Sequence, residues 1–236
     1  VAELIGAKEE EVIFTGCGTE SNNMVLKSLA RIYGRKTSRV ITGEIEHSAV
    51  LRPCQVMEDV GFEVHRCGVD GEGRLRLDEF REACEGAETG FSSIMWANNE
   101  TGVIQPVGEA CEIAKENGIA FHTDAIQAVG KTTVNVREVP VDFLSISGHK
   151  FHAPKGIGAL YLREGIRFEP LIRGGGQEFG HRSGTENVAY IAGLGKAAAL
   201  MKTALEKDQH AKIAANRDHL EKRLCEAIEG VTLNGS

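Results

Sequence analysis

Phe143-Leu144-Ser145-Ile146-Ser147-Gly148-His149-Lys150-Phe151-His152-Ala153-Pro154-Lys155-Gly156 is the stretch around which the chain is organised. Its first four residues read as a short buried strand. Small and polar residues follow, then a lysine, then Pro154 and Gly156, which interrupt regular structure. An ammonium at the end of a buried strand is costly to desolvate unless it has a task, and desolvation frees a nucleophilic amine of the Schiff-base kind. Ser147 and His149 beside it carry donors suited to a phosphate. A lone lysine in such a place more commonly snorkels to water, so the weight of the reading rests on what the rest of the chain adds.

Working outward, strands and helices alternate. Val12–Thr15 is a strand, and Gly16-Cys17-Gly18-Thr19-Glu20-Ser21-Asn22-Asn23 leads into a helix through Met24, Leu26 and Leu29. Small residues ahead of a helix make an anion cradle of free backbone N–H groups. The spacing matches neither GxGxxG nor the nucleotide-binding P-loop. The next strand, Ser38–Thr42, ends near Glu46-His47-Ser48, and a helix carries Val50, Leu51, Cys54 and Met57. Phe62–Arg66 is a strand and Leu77–Cys84 a short helix. Phe91–Trp96 is a buried strand followed by Ala97-Asn98-Asn99, whose amides serve equally as turn formers or as ligands for a carboxylate or ring oxygen. Pro106 opens a helix that stops at Asn117-Gly118. Ile119–Thr123 is a strand, followed by Asp124-Ala125-Ile126-Gln127. An aspartate there is a helix cap or the acidic partner of a protonated ring nitrogen.

This alternation predicts an α/β fold, a mainly parallel sheet covered by helices on both faces. Ligands bind such sheets at the carboxyl ends of the strands. Thr19, His47, Asn99, Asp124, Gln127 and the Ser147–Lys150 stretch all fall there. Gly158–Leu162 follows too closely for a crossover and is expected to pair antiparallel. Gly174–Thr185 is a polar, glycine-rich loop without a core pattern. Helices are expected at 186–207 and 209–228, the second with Ile213, Leu220, Leu224 and Ile228 on its apolar side.

Composition bounds the function. The 236 residues hold 42% hydrophobic and 26% charged residues, 28 glycines and a net charge of −7, which argues against nucleic acid or an anionic membrane as partner. No uninterrupted apolar run approaches the roughly 18 residues of a membrane span, and Val1-Ala2-Glu3-Leu4-Ile5 does not read as a signal peptide. The closest two of six cysteines, Cys54 and Cys67, are 13 apart, so no paired-thiol zinc or redox pattern exists and no metal site is expected. Scattered thiols fit a reducing cytoplasm. The chain begins without methionine and stops just after Val231-Thr232-Leu233, and both ends are expected to be cuts in a longer protein.

Six segments together resemble the NifS/IscS cysteine desulfurases, pyridoxal-phosphate enzymes of the class V aminotransferase group. They are Thr15-Gly16-Cys17-Gly18-Thr19-Glu20-Ser21, Glu46-His47, Asn98-Asn99-Glu100-Thr101-Gly102, Asp124-Ala125-Ile126-Gln127, Ser147-Gly148-His149-Lys150 and Arg182-Ser183-Gly184-Thr185. The resemblance implies the large domain of a fold type I enzyme over residues 1–203. It implies a connecting helix and the start of a smaller, truncated C-terminal domain over 204–236.

It further implies that Lys150 is the Schiff-base lysine and later moves the Cα proton. Asp124 pairs with the ring nitrogen of pyridoxal 5'-phosphate, Gln127 bonds its phenolic oxygen, and His47 stacks on the ring and serves in acid–base work. Gly18, Thr19, Ser147 and His149 hold the phosphate, Thr185 reaches the phosphate of a partner subunit in a homodimer, and Asn99 lies beside the substrate. The implied reaction takes L-cysteine to alanine and passes the sulfur as a persulfide to an acceptor or iron–sulfur scaffold protein. The family's nucleophilic cysteine and substrate-carboxylate arginine belong to a C-terminal part that has no match here. A selenocysteine lyase or another class V enzyme, and a non-catalytic cofactor-binding scaffold, are the alternatives.

Overall fold

A computed structural model describes residues 1–34 and 38–235. Its centre is one seven-stranded sheet: β1 (Val12–Thr15), β2 (Ser38–Gly43), β3 (Glu63–Cys67), β4 (Thr89–Ser93), β5 (Ala120–Asp124), β6 (Phe143–Ser147) and β7 (Gly158–Leu162). The spatial order is β1-β7-β6-β5-β4-β2-β3. The run from β3 to β6 is parallel, and β7 is antiparallel to both β6 and β1. The expected antiparallel strand behind the lysine is therefore present. It is wedged between β6 and β1, with Ser147 paired to Gly158 and Thr15 paired to the same glycine from the other side.

The period-2 pattern of the strands supplies both faces of the sheet. Val40, Phe143, Leu160 and Ile13 face one layer, while Ile41, Leu144, Ile146, Ala159 and Tyr161 face the other. The first layer holds α2 (Gly18–Tyr33) and α3 (Ser48–Asp59), through Met24, Val25, Leu29, Val50 and Met57. The second holds α1 (Ala2–Ile5), α4 (Leu77–Glu85), α5 (Val107–Glu116) and α6 (Val188–Glu206), through Ile5, Phe80, Ala110, Leu194 and Ala197. Burying a side chain of this size contributes about 1.5–3 kcal/mol, so the two apolar layers hold the sheet between them.

Two expectations shift. The strand expected over Phe91–Trp96 is Thr89–Ser93: beyond it Ile94 N and Trp96 N still donate to His122 O and Asp124 O of β5, but pairing with β2 stops and the Met95 N–H donates to Glu46 Oε1 (2.6 Å). The helix expected from residue 186 begins at Val188, capped by the Asn187 side chain, which accepts from Tyr190 N. The last helix, α7 (Ala211–Ala227), buries none of its residues, and Ile213, Leu220 and Leu224 are exposed. By length and composition α6 alone among the described residues is long and apolar enough to cross a membrane, yet Leu194, Ala197 and Ala198 on it belong to the core.

Candidate active site

The site is built where strands end. β6 is buried along its length and delivers the chain into a short 3-10 turn, Gly148–Phe151, that holds Lys150 half-buried. Gly148 fits because a Cβ there would sit 2.9 Å from Leu194 Cδ1 and 3.0 Å from Ala153 Cβ. Ser147 Oγ and His149 Nδ1 share a hydrogen bond of 3.0 Å, which orients both side chains on the same turn. Opposite them, β1 leads through Gly16 and Cys17 into the N-terminus of α2. A Cβ on Gly18 would meet Ile126 Cδ1 at 2.2 Å and Ser147 Cβ at 3.1 Å, so only glycine lets the helix end approach this closely. Free N–H groups and a positive dipole end face the cleft there.

β5 brings Asp124, 4% exposed, to the bottom of the cleft. Its Oδ2 accepts from Asn22 Nδ2 (2.7 Å) and its Oδ1 from the Ile126 N–H (3.0 Å). Asp124 thus caps a turn, and no helix follows it. Burial raises its pKa. The two hydrogen bonds and the charges of His47 and Lys150 oppose that rise. His47 caps α3 through Nδ1, which accepts from Ala49 N (3.1 Å) and so leaves the ring proton on Nε2. His47 also lines the cleft. The two asparagines divide their tasks. Asn98 Oδ1 accepts from Glu100 N and Thr101 N to make the turn, while Asn99 lines the cleft with its amide donating to Glu100 Oε1.

These residues enclose one cavity of about 270 Å³, lined by Cys17, Gly18, Thr19, His47, Met95, Ala97, Asn99, Asp124, Ile126, Gln127, Ser147, His149 and Lys150. Nine of the ten residues expected from sequence are among them. The tenth, Thr185, is exposed and lies outside this lining. The Gln127 carbonyl oxygen accepts from Lys131 Nζ, which leaves the amide NH₂ as a donor.

Three further residues shape the site and escape the sequence reading. Asn22 fixes Asp124. Glu46, 5% exposed, holds the Met95 N–H, and burial with the nearby Asp124 charge drives its pKa well above the usual carboxylate range. His122 is fully buried between Ser93 Oγ (2.8 Å) and Ser145 Oγ (2.9 Å), and desolvation lowers its pKa to about 3. A histidine inside the buried run Ile119–Thr123 was the one available signal. Of the thiols, burial pushes Cys54, Cys67 and Cys84 up to about 12 and Cys111 to about 11, so all four stay protonated. Cys225 is exposed on α7 and Cys17 stands in the cavity wall.

A mainly parallel sheet with a lysine, a buried carboxylate and the N-terminus of a helix on one cavity defines an α/β enzyme scaffold of the fold type I class. The chain belongs to the class-V aminotransferase family, whose model matches residues 1–236. It is 48% identical over 235 residues to cysteine desulfurase IscS of Dictyoglomus turgidum, covering all of this chain and 59% of the relative. It is 47% identical to cysteine desulfurase IscS of Methanosarcina thermophila, covering 99% of this chain and 57% of that one. Among solved structures, DndA from Streptomyces lividans superposes with a TM-score of 0.89 at 36% identity, over 99% of this chain and 66% of that one. A structure described as SspA in complex with cysteine gives 0.80 at 39% identity, over 84% and 58%. The chain therefore spans a little under three fifths of the length of these curated relatives.

Proposed function

We propose that this chain is the cofactor-binding portion of a pyridoxal-phosphate-dependent cysteine desulfurase. The observation that carries the reading is a single cavity in which the amine of Lys150, the buried carboxylate of Asp124 and the N-terminus of α2 meet. The donor set fits the cofactor. The Gly18–Thr19 turn, Ser147 and His149 suit a phosphate, and Asp124 is a buried carboxylate that a protonated ring nitrogen would neutralise. Gln127, with its carbonyl taken by Lys131, would donate its NH₂ to a ring oxygen. His47 offers a flat ring and an Nε2 proton. Bound there, pyridoxal phosphate supplies an electron sink for negative charge at the substrate Cα.

The chain's own residues do the rest. Lys150 holds the cofactor and moves the Cα proton. Asp124, whose charged form Asn22 and the Ile126 N–H favour against the burial that raises its pKa, pairs with the ring nitrogen and keeps it protonated. Asn99 meets the substrate at the cavity mouth. The substrate is L-cysteine, the product alanine, and the sulfur leaves as a persulfide for an acceptor or iron–sulfur scaffold protein. Four thiols here are locked protonated, Cys17 faces the phosphate end, and Cys225 lies on α7, outside the cavity lining. The attacking thiolate is therefore supplied by the longer protein outside residues 1–236. Thr185, exposed at the end of its loop, reaches the phosphate of a second copy in a homodimer. The boundary near residue 203 falls in the last turn of α6, and α7 beyond it begins a smaller domain. The protein works in the cytoplasm.

The test uses the full-length protein containing this chain. Borohydride treatment followed by peptide mapping should place the cofactor adduct on Lys150, and L-cysteine should yield alanine. An adduct on Lys131 or Lys155 would sink the assignment. Faster turnover of L-selenocysteine would favour a selenocysteine lyase, and an intact adduct without turnover of either would favour a scaffold.

A further inference from the structure

Glu20 is the third residue of α2, directly after Thr19, and its carboxylate has two sets of partners. Oε2 accepts from the Gly16 N–H (2.8 Å), at the turn that forms the anion cradle. Oε1 accepts from Arg182 Nε (2.8 Å), and Oε2 also takes Arg182 Nη2 (3.4 Å), across 162 residues of sequence. The pair is largely shielded, at 22% and 18% side-chain exposure for Arg182 and Glu20, where a forked charge-assisted contact is worth more than on an open surface.

Arg182 opens the segment Arg182-Ser183-Gly184-Thr185, and that segment is tied down along its length. Ser183 Oγ donates to Gly175 O (2.6 Å) and Gly184 N to Gln177 Oε1 (3.1 Å). Just upstream, Glu178 and Phe179 both adopt left-handed backbone, φ 49° and 56°. Non-glycine residues pay strain there, which persists only where surroundings over-determine it. The restraint is visible: Glu178 Oε2 accepts from Phe14 N (2.9 Å) on the open edge of β1. The loop is therefore fastened at two points to β1 and the turn that follows it, while its far end, Thr185, faces solvent.

We infer that the Glu20–Arg182 pair is one device serving two cofactor sites. It sets the Gly16–Thr19 turn of its own chain, and it aims Thr185 into the phosphate site of a second copy. Both are positioning residues. This rests on the reading that Thr185 completes a partner's site. Charge strengthens the argument: a lone carboxylate beside Thr19 would repel a phosphate, and the guanidinium offsets it. Removing Arg182 therefore harms its own chain's site through Glu20 and the neighbour's through Thr185, whereas removing the Thr185 hydroxyl harms the neighbour's alone.

Mixed dimers of the full-length protein separate these effects. Two differently tagged copies are co-expressed, the one-of-each dimers are purified, the cofactor is stripped, and pyridoxal phosphate is titrated back by its bound absorbance. Wild type paired with Thr185→Ala should show half its sites weakened. Wild type paired with Arg182→Gln should show both sites weakened, by about tenfold or more. Arg182→Lys, which keeps the charge and loses the fork, should give the same two-site pattern with a smaller loss, and it stands in should the glutamine variant not fold. If half or all of the sites in the Arg182 dimers keep wild-type affinity, the two-site role is wrong. If the Thr185→Ala dimers bind at wild-type affinity throughout, or the full-length protein is a monomer with full affinity, the shared-site reading itself falls.

Discussion

Asn22 Nδ2 donates to Asp124 Oδ2 across 2.7 Å, joining the first turns of α2 to the end of β5. Neither side chain is exposed: Asn22 is fully buried and Asp124 nearly so. The amide gives the carboxylate a donor in a place where water is excluded, so it favours the ionised form against the desolvation that burial imposes.

Removing that donor should be felt in turnover. Asn22→Ala in the full-length protein is expected to lower alanine formation from L-cysteine by about tenfold or more, the worth of one hydrogen bond to a charged group. Asn22→Asp should be worse, since it sets a second carboxylate against Asp124. Turnover per bound cofactor, with cofactor content measured separately, is the comparison. Equal rates in wild type and Asn22→Ala would show that Asp124 needs no such support.

Glu46 predicts a stability trend with pH. Its folded pKa lies above the unfolded value of 4.5, so the fold holds the neutral acid. The contribution is fully present below pH 4.5 and is lost as pH rises toward the folded pKa. Glu46→Gln removes the titration while keeping an acceptor for Met95 N. Relative to wild type, it should gain stability in urea midpoints as pH rises above 4.5. Glu46→Ala, which orphans the Met95 N–H, should lose stability at every pH. A wild-type-like pH trend in the glutamine variant would refute the neutral assignment.

His122 gives the opposite sign. Its folded pKa of about 3 lies below the unfolded 6.5. Stability from this group is complete above pH 6.5 and declines as pH falls toward 3, because only the unfolded chain takes up the proton. The slope is about 1.4 kcal/mol per pH unit once well below 6.5. Denaturation curves at pH 7 and pH 5 should show a larger loss in wild type than in His122→Gln, whatever the absolute stability of the variant. Parallel losses would mean the ring is not held neutral.

Gly18→Ala should test the closeness of α2 to the lysine turn. The new Cβ would overlap Ile126 Cδ1 at 2.2 Å and press Ser147 Cβ at 3.1 Å. Overpacking of this kind costs about 1–3 kcal/mol, and here it falls on the cofactor cavity. Cofactor affinity should drop accordingly, and adding Ile126→Val, which removes Cδ1, should return part of it. No recovery in the double variant would place the damage elsewhere.

The sheet and nine of the cavity-lining residues are legible in sequence because each sits in a short local signature, a strand followed by polar or small residues. The residues that hold them are not, because their partners are distant. Glu46 meets Met95 49 positions on, and Asn22 meets Asp124 102 positions on. Asn22 and Glu46 look from sequence like ordinary polar residues at helix and loop positions, and only the fold reveals that they are buried. The end of β4 at Ser93 follows from the same cause, since nothing local tells that Met95 N will bond a carboxylate. The apolar spacing of α7 was equally readable, but spacing alone does not supply a surface to pack on, and its leucines and isoleucine stay exposed.

The wedging of β7 has a consequence for how the molecule comes to exist. β1 pairs with β7 alone, Val12 with Tyr161 through Thr15 with Gly158, contacts that close a loop of nearly the whole sheet-forming chain. Contacts so far apart in sequence are slow to form, because the closure entropy must be overcome before they stabilise anything. On a ribosome, the strand that leads into the Gly16–Thr19 turn has no partner in the sheet until Leu162 has emerged. Asp124 stands at the end of β5, whose neighbours β4 and β6 are both synthesised before β7. β1 is therefore a late strand to join the sheet, and a nascent chain stalled before β7 has the ends of β5 and β6 without β1 held beside them.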